Sequence, residues 1–528
     1  MEISFNLLKQ RWMPCIDEHN QLVSLNVLDV VTRAHTLKEI QGDVSIVTGA
    51  LYLFLIAFIK NVLDLQNEED WEALWNTGKF PQEPFFHYAS QWETRFDLFD
   101  PDHPFYQDPH IGQRERDLKK LPKGKSAEPK GISGLLMHLA SGNNATLFDH
   151  SLDDLPSWYS PAEAAQLLIM WQAFSLCGMS SASISNDKFY KDSPFTRGIM
   201  FLNIGANLFQ TLLLNTASAD FDPLQSKGKD QPCWEVDDPF LIERFDPEGM
   251  LDFLTWQSRR ILLIPEENVG EIGIRSFYIA PGHSLMKTFS NPFYHNRIQL
   301  KDGEQSIRPM RFRQGHSFWR DSSAILNIGT FNSEAPLPIM WSAKLLSIKI
   351  LHIDSIQMNL FGMCVAPAPK KTVFFYAQET FLAPTAYLED DTLWLTLEQG
   401  LQWAEQVRSN LYIAVRDLAR FFVVPMHDLD NVRTPGRDDT DPLMQHWNAE
   451  HHYWGLLEPA FYEYLVSLPE LETAHDRWQN AIRKAARIAL SVTADQVGTA
   501  PAGLKARAKA ESSLNRLMYK TFNPEEME

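Results

Sequence analysis

Past Leu388 one pattern repeats four times, and it limits the fold more than any other feature of the chain. EDDTLWLTLEQGLQWAEQVRSNLYIAVRDLARFF opens on acidic residues suited to a helix N-terminus and keeps apolar residues at three- and four-residue spacing. MQHWNAEHHYWGLLEPAFYEYLVSL is a second such stretch, with a break predicted at Pro459. LETAHDRWQNAIRKAARIAL and LKARAKAESSLNRLMYKTF are the third and fourth. RTPGRDDTDP, Arg433–Pro442, reads as a loop between the first two. An amphipathic helix must bury its apolar stripe, so four in succession with modest connections predict a C-terminal four-helix bundle.

The rest of the chain has a mixed texture. With 528 residues it exceeds what one core usually serves, so two or three domains are expected. Its opening reads as a strand pair: FNLLKQRWMPCI, a turn at Asp17–Gln21, then LVSLNVLDVV. Helical spacing dominates Ala50–Asn76 and Pro161–Leu176. From about Thr255 short β-rich runs follow one another: RILLIP, RSFYIA, SAILNIG, LLSIKILHI and KTVFFYA. The expected class is α+β: a large mixed α/β domain over 1–388, β-rich from about 255, followed by the bundle over 389–528. The apolar run VSIVTGALYLFLIAFI is shorter than the ~20 residues a membrane span needs. Val44–Leu65 is therefore expected to be a buried core helix of a soluble, cytoplasmic protein.

Charge is distributed unevenly. The net charge of −19 argues against a chain that binds nucleic acid over its whole surface. Yet three basic islands stand out. Seven Lys/Arg lie between Arg114 and Lys130, six between Arg297 and Arg320, and nine between Arg477 and Lys520. Such islands on an acidic body suit a groove that tracks a phosphate backbone, or are solvated helix faces.

Catalytic signatures are sparse. There is no GxxxxGKT loop, no GxGxxG after a strand, no GxSxG and no HExxH. His446, Glu450, His451 and His452 fall only roughly on one helix face and read as polar bundle positions rather than metal ligands. His427-Asp428 lacks the distant partners a metal phosphohydrolase needs, and Asp438-Asp439 reads as a capping or solubilising pair. Three classes stay open on these grounds: a nucleic-acid recognition subunit, an enzyme with an unfamiliar site, and a scaffold.

Several short motifs come in a definite order: FNLLKQRWMPC, HPFYQ at His103–Gln107, NNATLF, FTRG at Phe195–Gly198 with LNIGANLFQTLLLN after it, and QPCWE at Gln231–Glu235. As a set covering nearly the whole chain they resemble the large subunit of the type I-E CRISPR Cascade surveillance complex, the CasA family. Each motif alone is weak, and the order and spacing make the set specific. The resemblance implies an α/β N-terminal domain of unusual fold before the bundle, and a non-catalytic role. That role is recognition of the protospacer-adjacent motif (PAM) in double-stranded DNA, help in opening the duplex and stabilising the R-loop, and docking of a helicase-nuclease. It also implies the partners: a guide crRNA, target DNA with its PAM and displaced strand, and the other Cascade subunits, with neither a homo-oligomer nor a membrane involved.

The resemblance nominates residues as well. The loop Asn143, Asn144, Ala145, Thr146, Leu147 and Phe148 corresponds to a loop near the guide RNA and the PAM-side duplex. The alternative, with Leu147 and Phe148 anchoring that loop to its own core, stays open. The family's glycine-rich minor-groove loop corresponds to Gly178, Ser180, Ser181, Ala182 and Ser183, where small side chains replace most glycines. Its wedge hairpin corresponds to Val365, Ala366, Pro367, Ala368, Pro369, Lys370 and Lys371, which lacks the family glutamine and reads equally as a proline turn. Lys287 is the nearest match to a groove-facing lysine. Lys119, Lys120, Lys123, Lys125, Arg483, Lys484, Arg487, Lys505, Arg507 and Lys509 are candidates for DNA-backbone contacts. Some relatives hold a cysteine-ligated zinc; the four cysteines here show no such spacing, so no metal and no cofactor are expected.

Overall fold

A computed structural model describes residues 3–114, 129–135, 158–180, 189–268, 270–301, 304–327, 332–366, 373–423, 435–470 and 472–523. Contacts divide the chain into two compact units. The first comprises Met1–Gln314, Thr330–His352 and Ile356–Leu382; the second comprises Gly315–Gly329, Ile353–Ser355 and Ala383–Glu528.

The first unit is built around the helix Ser45–Leu63, in which every residue from Ile46 to Ile59 is buried. Among the described residues it is the one helix long and apolar enough to cross a membrane, but its surroundings here are protein. Phe54 meets Trp12, Phe105 and Trp234 at ring distances of 6.0, 5.8 and 5.6 Å, and Phe58 meets Phe85 and Phe96, both at 5.8 Å. Each such ring contributes about 1.5–3 kcal/mol by leaving water. Gly49 allows close packing, since a Cβ there would lie 3.0 Å from Met200 and 3.3 Å from Phe174 and Phe361. The helix thus packs against the helix Pro161–Phe174 and the strands Met200–Ile204 and Ser355–Val365. The sheets are small. Met13–Asp17 lies between Leu22–Leu25 and Leu37–Ile40, and Ser355–Val365 lies between Val373–Pro384 and Met200–Ile204. The long hairpin Arg259–Asn268 and Glu271–Pro281 takes Lys130–Gly131 on its free edge.

Several expected elements are corrected. LVSLNVLDVV is a strand only to Leu25; Asn26 then caps the helix Val27–Thr32 by accepting from the Asp29 amide at 2.8 Å. The Ala50–Asn76 stretch is two helices, because Asp64 takes φ 45° and Asn67 caps a new helix, Glu68–Thr77. SAILNIG contributes the helix Ser322–Leu326, and LLSIKILHI begins as the end of the helix Leu337–Ser347. Short apolar runs serve buried helices as well as strands, and Pro338 in the first turn favours the helix.

The second unit is helical, with Asp391–Val423, Ala449–Ser467, Ala474–Asp495 and Pro501–Phe522 as its long elements. The expected Arg433–Pro442 loop is helical from Arg437, with Asp438 and Asp439 in the first turn of Arg437–Trp447. The break in the second amphipathic stretch falls at Asn448, at φ 46°, and the helix runs on through Pro459. Pro459 forfeits one bond, to the Gly455 carbonyl, at a cost of about 3 kcal/mol. Burial of Tyr453, Trp454, Leu457, Phe461, Tyr464 and Leu465 on the same helix offsets that. Polar tips lock the helices together: Trp478 Nε1 donates to the Gly400 carbonyl at 2.8 Å, and the Tyr453 hydroxyl donates to that of Ala404 at 2.8 Å.

Candidate nucleic-acid interface

Two short strands, Gly178–Met179 and Phe189–Tyr190, form an antiparallel ribbon with Gly178 opposite Tyr190 and Met179 opposite Phe189. Its inner face is tightly specified. A Cβ on Gly178 would lie 2.5 Å from the Tyr190 hydroxyl, so only glycine fits there. Beneath Tyr190, with its guanidinium 4.3 Å from the ring centroid, lies Arg259, 1% exposed. Arg259 donates to the carbonyls of Ser258, Ser175 and Leu176 at 2.9, 3.1 and 3.2 Å. Burial pushes it down to about 10, so it stays charged at neutral pH. A buried cation is costly, and three carbonyls and a π face offset that cost only while both strands stay in place. From other directions Lys130 Nζ donates to the Met179 carbonyl at 2.7 Å, and Ser180 Oγ donates to that of Ile279 at 3.0 Å. Burial lowers the Lys130 ammonium below its usual range.

The chain leaves the ribbon into a cleft of about 280 Å³. Lys191, Arg197, Lys287 and Arg311 line it, against the single carboxylate of Asp192. All four cations are exposed. Arg197 pairs with Asp192 at 3.0 Å, and Asp192 also accepts from the Cys177 amide at 2.8 Å. Lys191, Lys287 and Arg311 form no ion pair with a described carboxylate. Phe245, Met286, Phe289 and Tyr294 supply apolar wall. A concave surface with several like charges and low-dielectric walls concentrates positive potential and suits a polyanion.

Of the nominated residues, the structure thus brings Lys287 into a cleft that Lys191 joins to the Gly178–Ser180 ribbon. Val365 ends one strand of a hairpin and Ala366 follows it. Asn143–Phe148, Ser181, Ala182, Ser183, Pro367–Lys371, Lys119, Lys120, Lys123, Lys125 and the His427-Asp428 pair lie outside the described residues. On the bundle, Arg507 is tied to Asp495 at 2.6 Å and Glu511 at 2.9 Å, and Arg483 lies 4.1 Å from the centroid of the Phe522 ring. Arg487 donates to Asn515 at 3.3 Å; Lys484 and Lys509 are exposed, and Lys505 is half-buried. Among the described residues no three His, Cys, Asp or Glu side chains gather as metal ligands; Glu450 instead lies 3.7 Å from Arg408.

Sequence reasoning missed Lys191, Arg259 and Tyr190. Arg197 stood within FTRG and Arg311 within a basic island, but neither signal tied them to Lys287. The other motifs have structural roles. Tyr106 of HPFYQ stacks on Trp234 of QPCWE at 6.0 Å, and the Gln107 side chain donates to the Leu98 carbonyl and accepts from the Leu263 amide.

This architecture is that of the CRISPR-associated Cse1 proteins. It matches Cse1 from Acidimicrobium ferrooxidans over 99% of both chains, with a TM-score of 0.82 at 22% identity. It matches a crystal structure of Thermus thermophilus CasA over 98% of this chain and 100% of that one, with a TM-score of 0.77 at 25% identity. A chain of a CRISPR RNA-guided surveillance complex shares the fold over 97% of this chain and 99% of its own, with a TM-score of 0.75 at 19% identity. In sequence, the family model for CRISPR-associated protein Cse1 matches residues 6–489. CRISPR-associated protein CasA/Cse1 of Thermus thermophilus is 28% identical over 532 residues, covering 97% of each chain. The chain belongs to the CRISPR-associated Cse1 (CasA) family.

Proposed function

We propose that this chain is the non-catalytic large subunit of a cytoplasmic CRISPR RNA-guided surveillance complex. It recognises a short motif beside the target in double-stranded DNA, helps to open the duplex, and offers a docking surface for a helicase-nuclease. The guide crRNA reads the long sequence by base pairing, so this subunit need read only a few base pairs and hold the strands apart. The observation that carries the reading is the cleft of four exposed cations at the root of the small-residue segment. Phosphates neutralise such cations, and a segment of small side chains lets backbone approach a narrow minor groove. The family membership and the fold shared with a surveillance-complex chain support the assembly partners. Asn143–Phe148 and the Val365–Lys371 tip belong to the proposal as the guide-side loop and the wedge.

The test is binding of guide-matched duplexes, flanked by every trinucleotide in turn, to the reconstituted complex with and without this chain. Affinity that depends on the flanking trinucleotide only when the chain is present supports motif recognition. Equal affinity in both assemblies would leave a scaffold.

A further inference from the structure

We propose that the outer face of the ribbon formed by Gly178–Met179 and Phe189–Tyr190 is the apolar lip of the nucleic-acid site. Met179 and Phe189 lie against the sugars and base edges of a strand whose phosphates Lys191, Lys287 and Arg311 hold. This rests on the DNA-binding reading of the cleft and adds residues that no basic-island argument nominates.

Side chains alternate along a strand, so Phe189 faces away from Tyr190, which is turned onto Arg259, and the chain enters the cleft at the next residue, Lys191. Met179 sits directly opposite Phe189 and shares that outer face. The two side chains are 56% and 65% exposed, a large apolar surface to leave in water on a ribbon whose underside is so fully specified. Phe245 and Met286, each 47% exposed, add apolar surface to the wall of the cleft that Lys191 enters. A purely apolar protein partner would strand the cleft cations without counter-charge. A nucleic acid satisfies both halves, with phosphates for the cations and flat sugar and base surfaces for Phe189 and Met179. The Arg259 clamp holds the lip in place before binding, which spares the ordering cost at the moment of contact.

Salt dependence separates the two kinds of contact. The probe is a fluorescein-labelled, guide-matched duplex with the preferred flanking trinucleotide, titrated with the complete complex from low to physiological salt. Met179→Ser with Phe189→Ser weakens binding about tenfold at every salt concentration and leaves the slope of log K against log salt unchanged, because apolar contacts release no counterions. Lys191→Ala or Lys287→Ala reduces the magnitude of that slope by about 1. Wild-type affinity in the double serine variant overturns the lip. So does failure of that variant, folded by circular dichroism, to co-purify with the complex, because the lip would then be a protein contact. Unchanged slopes in both lysine variants overturn the cleft reading itself, and the lip with it.

Discussion

In the α/β unit Asp108, wholly buried, is shared by Arg260 at 3.3 Å and Arg114 at 2.8 Å, and Lys60 meets Asp222 at 2.8 Å with both side chains only 10% exposed. In the helical unit the pairs are more exposed: Arg507 with Asp495 and Glu511, Arg408 with Glu405 and Glu450, and Arg320, itself 11% exposed, with the 39% exposed Glu405. At the exposed positions that contrast fades. The cleft of the α/β unit leaves Lys191, Lys287 and Arg311 without a described carboxylate and pairs Arg197, and the bundle likewise leaves Lys484, Arg487 and Lys509 and pairs Arg507. What distinguishes the two is arrangement, not the count of positive charges. The bundle island has more cations in sequence, and the cleft gathers its exposed ones around a single concave surface.

Four experiments can break or sharpen this contrast. The largest effect belongs to Asp108→Ala, which takes a buried carboxylate from Arg260 and leaves Arg114 with Asp238 alone, and lowers the unfolding free energy of the α/β unit by about 3–5 kcal/mol, read from urea denaturation. A small loss would mean that the buried network is not where this unit places its electrostatic stability. Next, Lys191→Glu with Lys287→Glu weakens duplex binding about 100-fold at physiological salt by fluorescence anisotropy. The same reversal at Lys484 and Arg487 has a clearly smaller effect, and parity between the pairs would erase the distinction.

The third is a pH response. Burial holds the Asp222 carboxyl up at about 6, above its ordinary value, despite the opposing pull of Lys60. The folded chain takes up that proton before the unfolded chain does, so this group's contribution favours folding increasingly as pH falls through about 6. Relative to Asp222→Asn, the wild-type Tm rises by a few degrees between neutral pH and about pH 5; a flat difference would place Asp222 in a wetter setting. The smallest effect is that of Arg507→Ala. Its pairs are solvent-exposed, so Tm moves by about 1 °C or less and duplex affinity stays within about twofold.

The bundle was legible in the sequence because period-3.6 patterning over long segments leaves few alternatives. Its one misplaced break shows the limit: Pro459 carries a penalty that buried aromatics outweigh, while Asn448 ends a helix through a backbone angle that side-chain hydrophobicity does not reveal. SAILNIG failed as a strand because seven residues cannot distinguish the two periods. At the candidate site, Gly178 and Lys287 were nominated only through the family resemblance. Arg259 was not, because an arginine opening RILLIP's strand looks like any flanking charge until Tyr190 is found above it. The cleft draws on segments around 191–197, 285–291 and 307–311. No local pattern relates residues so far apart along the chain.

The buried Ser45–Leu63 helix also sets a problem of timing. Its partners Phe105, Phe174 and Trp234 are synthesised later, the last about 170 residues downstream, or roughly 10–30 s at 5–20 residues per second. Throughout that interval the nascent chain presents nineteen mostly apolar residues. Any holding factor at the ribosome, or any insertion machinery that samples hydrophobic segments, meets this stretch before the protein that will enclose it exists.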